Sequence, residues 1–280
     1  MQGLEYRDTA SGIRVARLHY TADPDKRTPE WLQSAKEGVP NDRIWRREYE
    51  IDWTVATGLP IYAEQFVRDW HVAKEPILAV PGVRMYRGWD FGLEPACCWG
   101  QLDSAGRLRI HAELVTWTGR GPVKQQGIEE FGPQVLQLSN EWYPGVEWTD
   151  YADPAGWSKS QTDEKTCVQI LGKLDIHCRK GPMTWTARRD AMYQALKDAP
   201  GGSPKLMLSP DCTMLIEGFE GAYQFEEIGD TGRYKEVVEK NSWSHVMNAL
   251  EYMVGGIYGK GERQRDGGRR RATPDGVTGY

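Results

Sequence analysis

Three runs early in the middle of the chain, residues 84–91 (RMYRGWDF), 96–102 (ACCWGQL) and 107–117 (RLRIHAELVTW), are apolar or partly alternating, the pattern of strands. Asp103-Ser104-Ala105-Gly106 between the last two is a tight-turn signal. Strands joined this closely must be antiparallel neighbours, because a parallel crossover needs a dozen or more residues. Downstream the period lengthens and then alternates between helix and strand. Helices are predicted near 122–142, 164–173, 185–198 and 211–221, and strands near 146–151, 174–178 and 205–209. A hairpin follows over 223–238, with Gly229-Asp230-Thr231-Gly232 at its tip, and then a last helix over 244–258. In that helix Val246, Ala249, Leu250, Met253 and Ile257 form one apolar stripe, and Ser242 or Ser244 is the expected N-cap. The order β-β-β-α-β-α-β-α predicts an α/β fold, a mixed five-stranded sheet with helices on both faces.

Three regions are expected. Residues 1–79 form an N-terminal region with a strand-like run at 12–20, turn and helix-start signals in TADPDKRTPEW, and a short helix at 29–37. Within it, residues 42–52 (DRIWRREYEID) read as a solvated amphipathic helix. Residues 80–259 form the compact α/β unit. Residues 260–280, rich in Gly and Arg and without periodicity, predict a disordered tail. Its Arg269-Arg270-Arg271 run offers charge to phosphates, or simply keeps the tail soluble.

Composition narrows this only a little. With 280 residues and 39% hydrophobic content the chain can bury one good core with additions. A net charge of −5 withholds the basic signature of a nucleic-acid binder. It fits an active site built from carboxylates, and it fits many unrelated enzymes as well. The 12 Trp and 13 Tyr against 5 Phe favour aromatics with a polar handle, which suit surfaces touching flat or charged ligands; compositional drift gives the same counts. None of the five cysteines forms a CxxC pair, which argues against a zinc ribbon. Their odd number and the lack of a signal-peptide pattern at Met1 point to a reducing cytosol. No apolar run approaches the ~20 residues a bilayer requires.

Three places carry acids or amides where chemistry could use them. Asp90 sits in the strand Arg87-Gly88-Trp89-Asp90-Phe91-Gly92, on the face opposite Trp89 and Phe91. An acid on a core strand is costly unless something requires it. A metal-ligand role competes there with a strand-end Asp that caps the next turn. Asp153 stops a strand at Asp-Pro, where ligands of α/β sheets tend to lie, and a plain turn-forming Asp reads the same way. Asp150 is near, but its spacing turns it to the other strand face. In the last helix Asn248 lies off the apolar stripe and Glu251 follows three residues on, against a plain solvated face. Carboxylates gathered at one point suit Mg2+ or Mn2+, two of which can bracket the oxygens of a phosphodiester displacement.

These segments resemble, in order and spacing, the nuclease domain of the large terminase subunit of tailed bacteriophages. The resemblance rests on Tyr86-Arg87-Gly88-Trp89-Asp90-Phe91-Gly92, Tyr151-Ala152-Asp153-Pro154-Ala155-Gly156, Gly218-Phe219-Glu220-Gly221-Ala222-Tyr223, and the run from Lys240 through Ser244-His245-Val246-Met247-Asn248 to Tyr252. Each is weak alone; the ordered set covers most of residues 80–258. The run from Leu18-His19-Tyr20 to Asp52-Trp53 also looks like the segment joining motor to nuclease. The resemblance implies a ribonuclease H-like fold and a metal-dependent endonuclease that cuts concatemeric viral DNA during packaging, in the host cytoplasm. Its implied partners are double-stranded DNA, a packaging ATPase, the small terminase subunit and the portal protein. It carries metal ligands onto Asp90 and Asp153. The third family carboxylate, usually Asp in Ser-His-x-x-Asp-Ala-Leu, falls on Asn248, whose neutral carbonyl binds metal less tightly. Compensation by Glu251, family tolerance of Asn, and an engineered inactivation all stay open. His245 would orient the scissile phosphate or move a proton, against a structural role at the helix N-terminus. Lys159, Lys165, Arg188 and Arg189 are candidates for phosphate contacts, against solvated surface. No GxxxxGK[ST] loop is present: Gly172-Lys173 precedes Leu174 and Gly259-Lys260 precedes Gly261. The chain alone is therefore expected not to hydrolyse ATP. Two further readings compete: a docking module of the motor that only grips DNA, and a resolvase- or integrase-like enzyme.

Overall fold

The structure is a computed structural model. It describes residues 3–8, 12–37, 45–46, 48–51, 58–117, 124–159, 165–199, 202–228 and 233–259. The predicted hairpin tip at 229–232, the tail at 260–280 and parts of the 42–52 segment lie outside the described residues.

At the N-terminus β1 (Leu4–Asp8) and β2 (Arg14–Leu18) pair antiparallel as a separate ribbon. Helix α1 (Pro29–Glu37) follows two short 3-10 turns. Beside it Tyr20, Trp31, Trp45 and Tyr49 gather, with Trp45 stacked on Tyr49 at 4.4 Å. Glu50 accepts from the Trp45 indole and meets His19 at 3.0 Å, tying this group together. Next comes a single turn, α2 (Arg68–His71).

The main sheet begins with β3 (Met85–Asp90), β4 (Ala96–Leu102) and β5 (Leu108–Val115), each antiparallel to the one before. Helix α3 (Ile128–Trp142) leads to β6 (Trp148–Ala152), which lies parallel to β3. Helix α4 (Cys167–Gly172) leads to β7 (Cys178–Lys180), parallel to β6. Helix α5 (Trp185–Ala195) and a minimal ribbon, β8 (Asp198–Ala199) with β9 (Ser203–Pro204), precede β10 (Leu206–Leu208). Strand β10 crosses back to pair parallel with β5, so the order is β10-β5-β4-β3-β6-β7. The sheet therefore has six strands rather than the expected five. The added strand is three residues long, and nothing local in it reveals which edge it will join.

Helix α6 (Thr213–Glu217) runs into a π-helical turn at Gly218–Ala222 that kinks at Gly221. The predicted hairpin is β11 (Phe225–Glu227) with β12 (Tyr234–Val238). The last helix, α7 (Ser242–Tyr258), is capped by Asn241, not by either serine: Asn241 accepts from the Ser244 N–H, and Ser244 answers the Asn241 N–H. The serine at N3 completes a capping box, which moves the cap one residue upstream.

Each sheet face has its own core. On one, Cys98, Leu108 and Ile110 meet Met192 of α5, Leu215 of α6 and Val246, Leu250 and Met253 of α7. On the other, Met85, Trp89, Cys97 and Trp99 meet Phe131 and Val135 of α3 and Leu171 of α4. Ile61, Tyr62 and Phe66, upstream of the expected division at residue 79, are buried in the first core. Helix α7 lies directly against β3 because Gly88 leaves room: a Cβ there would stand 2.1 Å from the Ala249 carbonyl oxygen.

Candidate active site

Alternation along β3 puts Met85, Arg87 and Trp89 on the α3 face and Gly88 and Asp90 on the α7 face. With Ala249 seated on Gly88, the turn of α7 that precedes it passes over Asp90. His245 is in that turn, and its Nδ1 lies 2.9 Å from Asp90 Oδ2. Asp90 is only 4% exposed. Burial pushes its carboxyl up to about 6 against the pull of His245, with the charge of Asp153 pushing the same way and Arg188 opposing it. The hydrogen bond to Asp90 in turn raises His245 above the ordinary histidine range.

Asp153 is brought alongside by the backbone. Its N–H donates to the Trp89 carbonyl at 3.1 Å, extending the β3–β6 pairing one step past the strand. One of its oxygens accepts from the Ala155 N–H at 2.9 Å and so caps the turn Pro154–Trp157. The turn-forming reading of Asp153 and its place beside Asp90 thus hold together. Asp150 faces the other way, as its spacing predicts, and is bound there by Arg87.

The third position is more crowded than the sequence suggests. Glu251 is fully buried and so is not a solvated helix position. Its Oε1 accepts from Tyr62 at 2.7 Å and from Tyr223 at 2.8 Å. Its Oε2 stands 3.2 Å from Arg188 Nη1 without a hydrogen bond of good geometry. Burial pushes its carboxyl above the ordinary range, against the charge of Arg188. Asn248 Oδ1 accepts from Arg188 Nη1 at 3.1 Å and from the Tyr223 hydroxyl at 3.3 Å. Among the described residues no group of three or more His, Cys, Asp or Glu side chains is drawn together as a metal cage.

Of the basic residues proposed for phosphate contact, Lys159 and Lys165 are exposed, Lys159 two residues past the turn Pro154–Trp157. Arg188 is not a surface residue. It comes from α5, points inward to Asn248 and Glu251, and packs 4.6 Å over the Tyr252 ring. Burial opposes its charge, and Glu251, Tyr252, Tyr223 and Asp90 together more than compensate. Arg189 lies apart, ion-paired with Glu236 at 2.8 Å. Glu94 joins the rim, accepting from Ser242 at 3.1 Å and standing 4.0 Å from His245 Nε2. Glu94 and Tyr62 carry no sequence signal for this role, and Tyr252 only closes the last of the quoted motifs. Tyr223 closes one of the quoted motifs, but nothing in that motif says what its hydroxyl meets.

Comparison with solved structures covers most of the chain. A large terminase from a thermophilic bacteriophage superposes with a TM-score of 0.55 at 16% identity, over 85% of this chain and 60% of that one. The complexes of that terminase with ATP-gamma-S and with ADP match at TM-scores of 0.54 and 0.55, over 81% and 83% of this chain. The chain has a ribonuclease H-like, terminase-type fold. It spans between half and two thirds of the terminase chains it matches, 52% to 60% of their length. No family model matches the sequence. One curated protein, COBRA-like protein 1 of Arabidopsis thaliana, is 27% identical over 92 residues, which is 32% of this chain and 20% of that protein. That stretch is too short to name a family. No helix among the described residues is long and apolar enough to cross a membrane.

Proposed function

We propose that the chain is a metal-dependent DNA endonuclease that cuts concatemeric viral DNA during packaging. The observation that carries this is Asp90: a buried acid at a strand end, held beside a second acid by a backbone hydrogen bond, with only a titratable histidine as its direct partner. Such an arrangement costs stability and supports a site that waits for a cation. The donors fit a hard divalent ion. Asp90 and Asp153 offer carboxylate oxygens, and the buried Glu251 Oε2 without a hydrogen bond marks a cluster that its own groups do not saturate. Mg2+ or Mn2+ held by Asp90 and Asp153 would polarise the scissile phosphate and acidify the attacking water.

The chain's own groups do the rest. Asp90 holds the His245 ring by Nδ1, which leaves Nε2 on the open side near Glu94, placed to exchange a proton. Arg188 keeps a fixed positive charge within the carboxylate group. Lys159 and Lys165, both exposed, would supply charge to a DNA backbone that approaches Asp153. In this reading residues 1–79 include the join to a packaging motor, 80–259 form the nuclease, and the ATPase, small terminase subunit and portal are its partners in the host cytoplasm.

The test is cleavage of supercoiled plasmid with Mn2+ or Mg2+. Asp90→Ala is expected to drop cutting to background; undiminished cutting would overturn the assignment. The neutral Asn248, already engaged by Arg188 and Tyr223, favours a second reading, a docking module that grips DNA without cutting. An inactive parent that gains cleavage on Asn248→Asp would support that reading instead.

A further inference from the structure

The guanidinium of Arg188 occupies ground that a second cation would need. It reaches from α5 to the Asn248 carbonyl oxygen at 3.1 Å and to Glu251 Oε2 at 3.2 Å. It is fixed rather than passing through. The Tyr252 ring lies 4.6 Å beneath it, and two tyrosine hydroxyls hold Glu251 in place for it. Its side chain is only 11% exposed, and its Nε has no hydrogen-bond partner. The charge is permanent at any pH the protein meets.

We infer that this site takes one divalent cation, on Asp90 and Asp153, and that Arg188 stands in for a second. The inference rests on the nuclease reading above. Occupancy leads to it. The place between Asn248 Oδ1 and Glu251 Oε2, where a second ion would have to sit, is already held by the Arg188 guanidinium at 3.1 and 3.2 Å. A second ion at the Asn248 end would sit beside a guanidinium in a dry site, where like charges repel strongly. It would also compete for a carbonyl oxygen that already accepts from the Arg188 guanidinium. Arg188 is thus a positioning and charge-supplying residue whose mark is the number of ions bound.

The deciding measurement is Mn2+ stoichiometry on the full chain, by titration calorimetry and by loss of the free Mn2+ paramagnetic resonance signal. The wild type should bind one Mn2+, and Asp90→Ala should lose it. Asn248→Asp alone should still bind one, because Arg188 pairs with the new acid. Combining Asn248→Asp with Arg188→Met and Glu251→Gln, which removes the resident cation without orphaning its partner, should raise the count to two. Two ions on the wild type, or one on the folded triple variant, would overturn the inference and leave the nuclease reading standing. Should the triple variant fail to fold, the wild-type count still decides. No Mn2+ on the wild type, together with cleavage indifferent to Asp90→Ala, would overturn the nuclease reading itself.

Discussion

Two buried aspartates lie on opposite faces of one sheet, and their surroundings differ in kind. Asp150 is 3% exposed and Asp90 4%. Asp150 is gripped by both prongs of Arg87, at 2.6 and 3.1 Å, and by the Trp89 indole at 2.7 Å. Arg87 gives another N–H to Ser139, which also takes the Trp99 indole, and the Trp148 ring covers the guanidinium at 4.3 Å. The charges cancel, and no side-chain polar atom of this knot is left without a partner. Asp90 has a histidine for its partner and a second acid for its neighbour, and the cluster behind it leaves Arg188 Nε without a hydrogen bond and Glu251 Oε2 with an ion-pair contact but no hydrogen bond. A buried charge that serves the fold is closed on itself. A buried charge that serves chemistry is left open on one side, at a cost the rest of the fold must carry.

The contrast can be broken most easily at Arg87. Arg87→Met strands Asp150 as a lone buried charge and should cost about 3–5 kcal/mol in urea unfolding; a loss near zero would mean the knot is not what it looks like. Asp90→Asn should have the opposite sign. The native carboxyl keeps its proton up to about 6, whereas an ordinary one releases it near 3.8. The native state therefore binds more protons between those values, and stability of the metal-free protein falls as pH rises through that window. Asp90→Asn should flatten the fall and stabilise the metal-free protein above pH 6 by up to about 3 kcal/mol, while abolishing cleavage. Thermal melts across pH, with and without Mn2+, check both halves. Gly88→Ala should displace α7 from β3, costing roughly 1–3 kcal/mol as overpacking does and lowering cleavage by moving His245 off Asp90. Retained activity would mean that the helix seat is not what sets that contact. The smallest expected effect is Asn241→Ala, about 1 kcal/mol for a lost cap, with the plasmid assay unchanged under stable conditions.

Much of the fold was legible because it is written in local period. The meander from 84 to 117 and the later alternation of helices and strands follow from which residues are apolar and where turns interrupt them. Parity alone set Asp90 opposite Trp89 on its strand and Asp150 opposite Asp153 on the next, and the β3–β6 register turns this into Asp90 and Asp150 on opposite faces. What stayed hidden depends on distant partners. Tyr62 meets Glu251 across 189 positions, and no pattern near either residue announces it. Arg188-Arg189 on a helix reads as a solvated pair, and only packing shows that one turns inward to Glu251 and the other outward to Glu236. The strand at 206–208 was visible, but its edge was not. Its register with β5 is settled by the crossover from β7, which local sequence does not encode.

The hydrogen bond from Asp153 to the Trp89 carbonyl makes the sheet a ruler. Adjacent strands stand about 4.8 Å apart wherever backbone ladders form, so the gap between the two acids is set by main-chain geometry and not by side-chain packing. Substitutions that repack either core should leave that gap alone. Tuning is left to side-chain length and rotamer, one methylene at a time, which makes Asp-to-Glu exchanges at 90 and 153 the natural coarse adjustment for the size of ion the proposed site would accept.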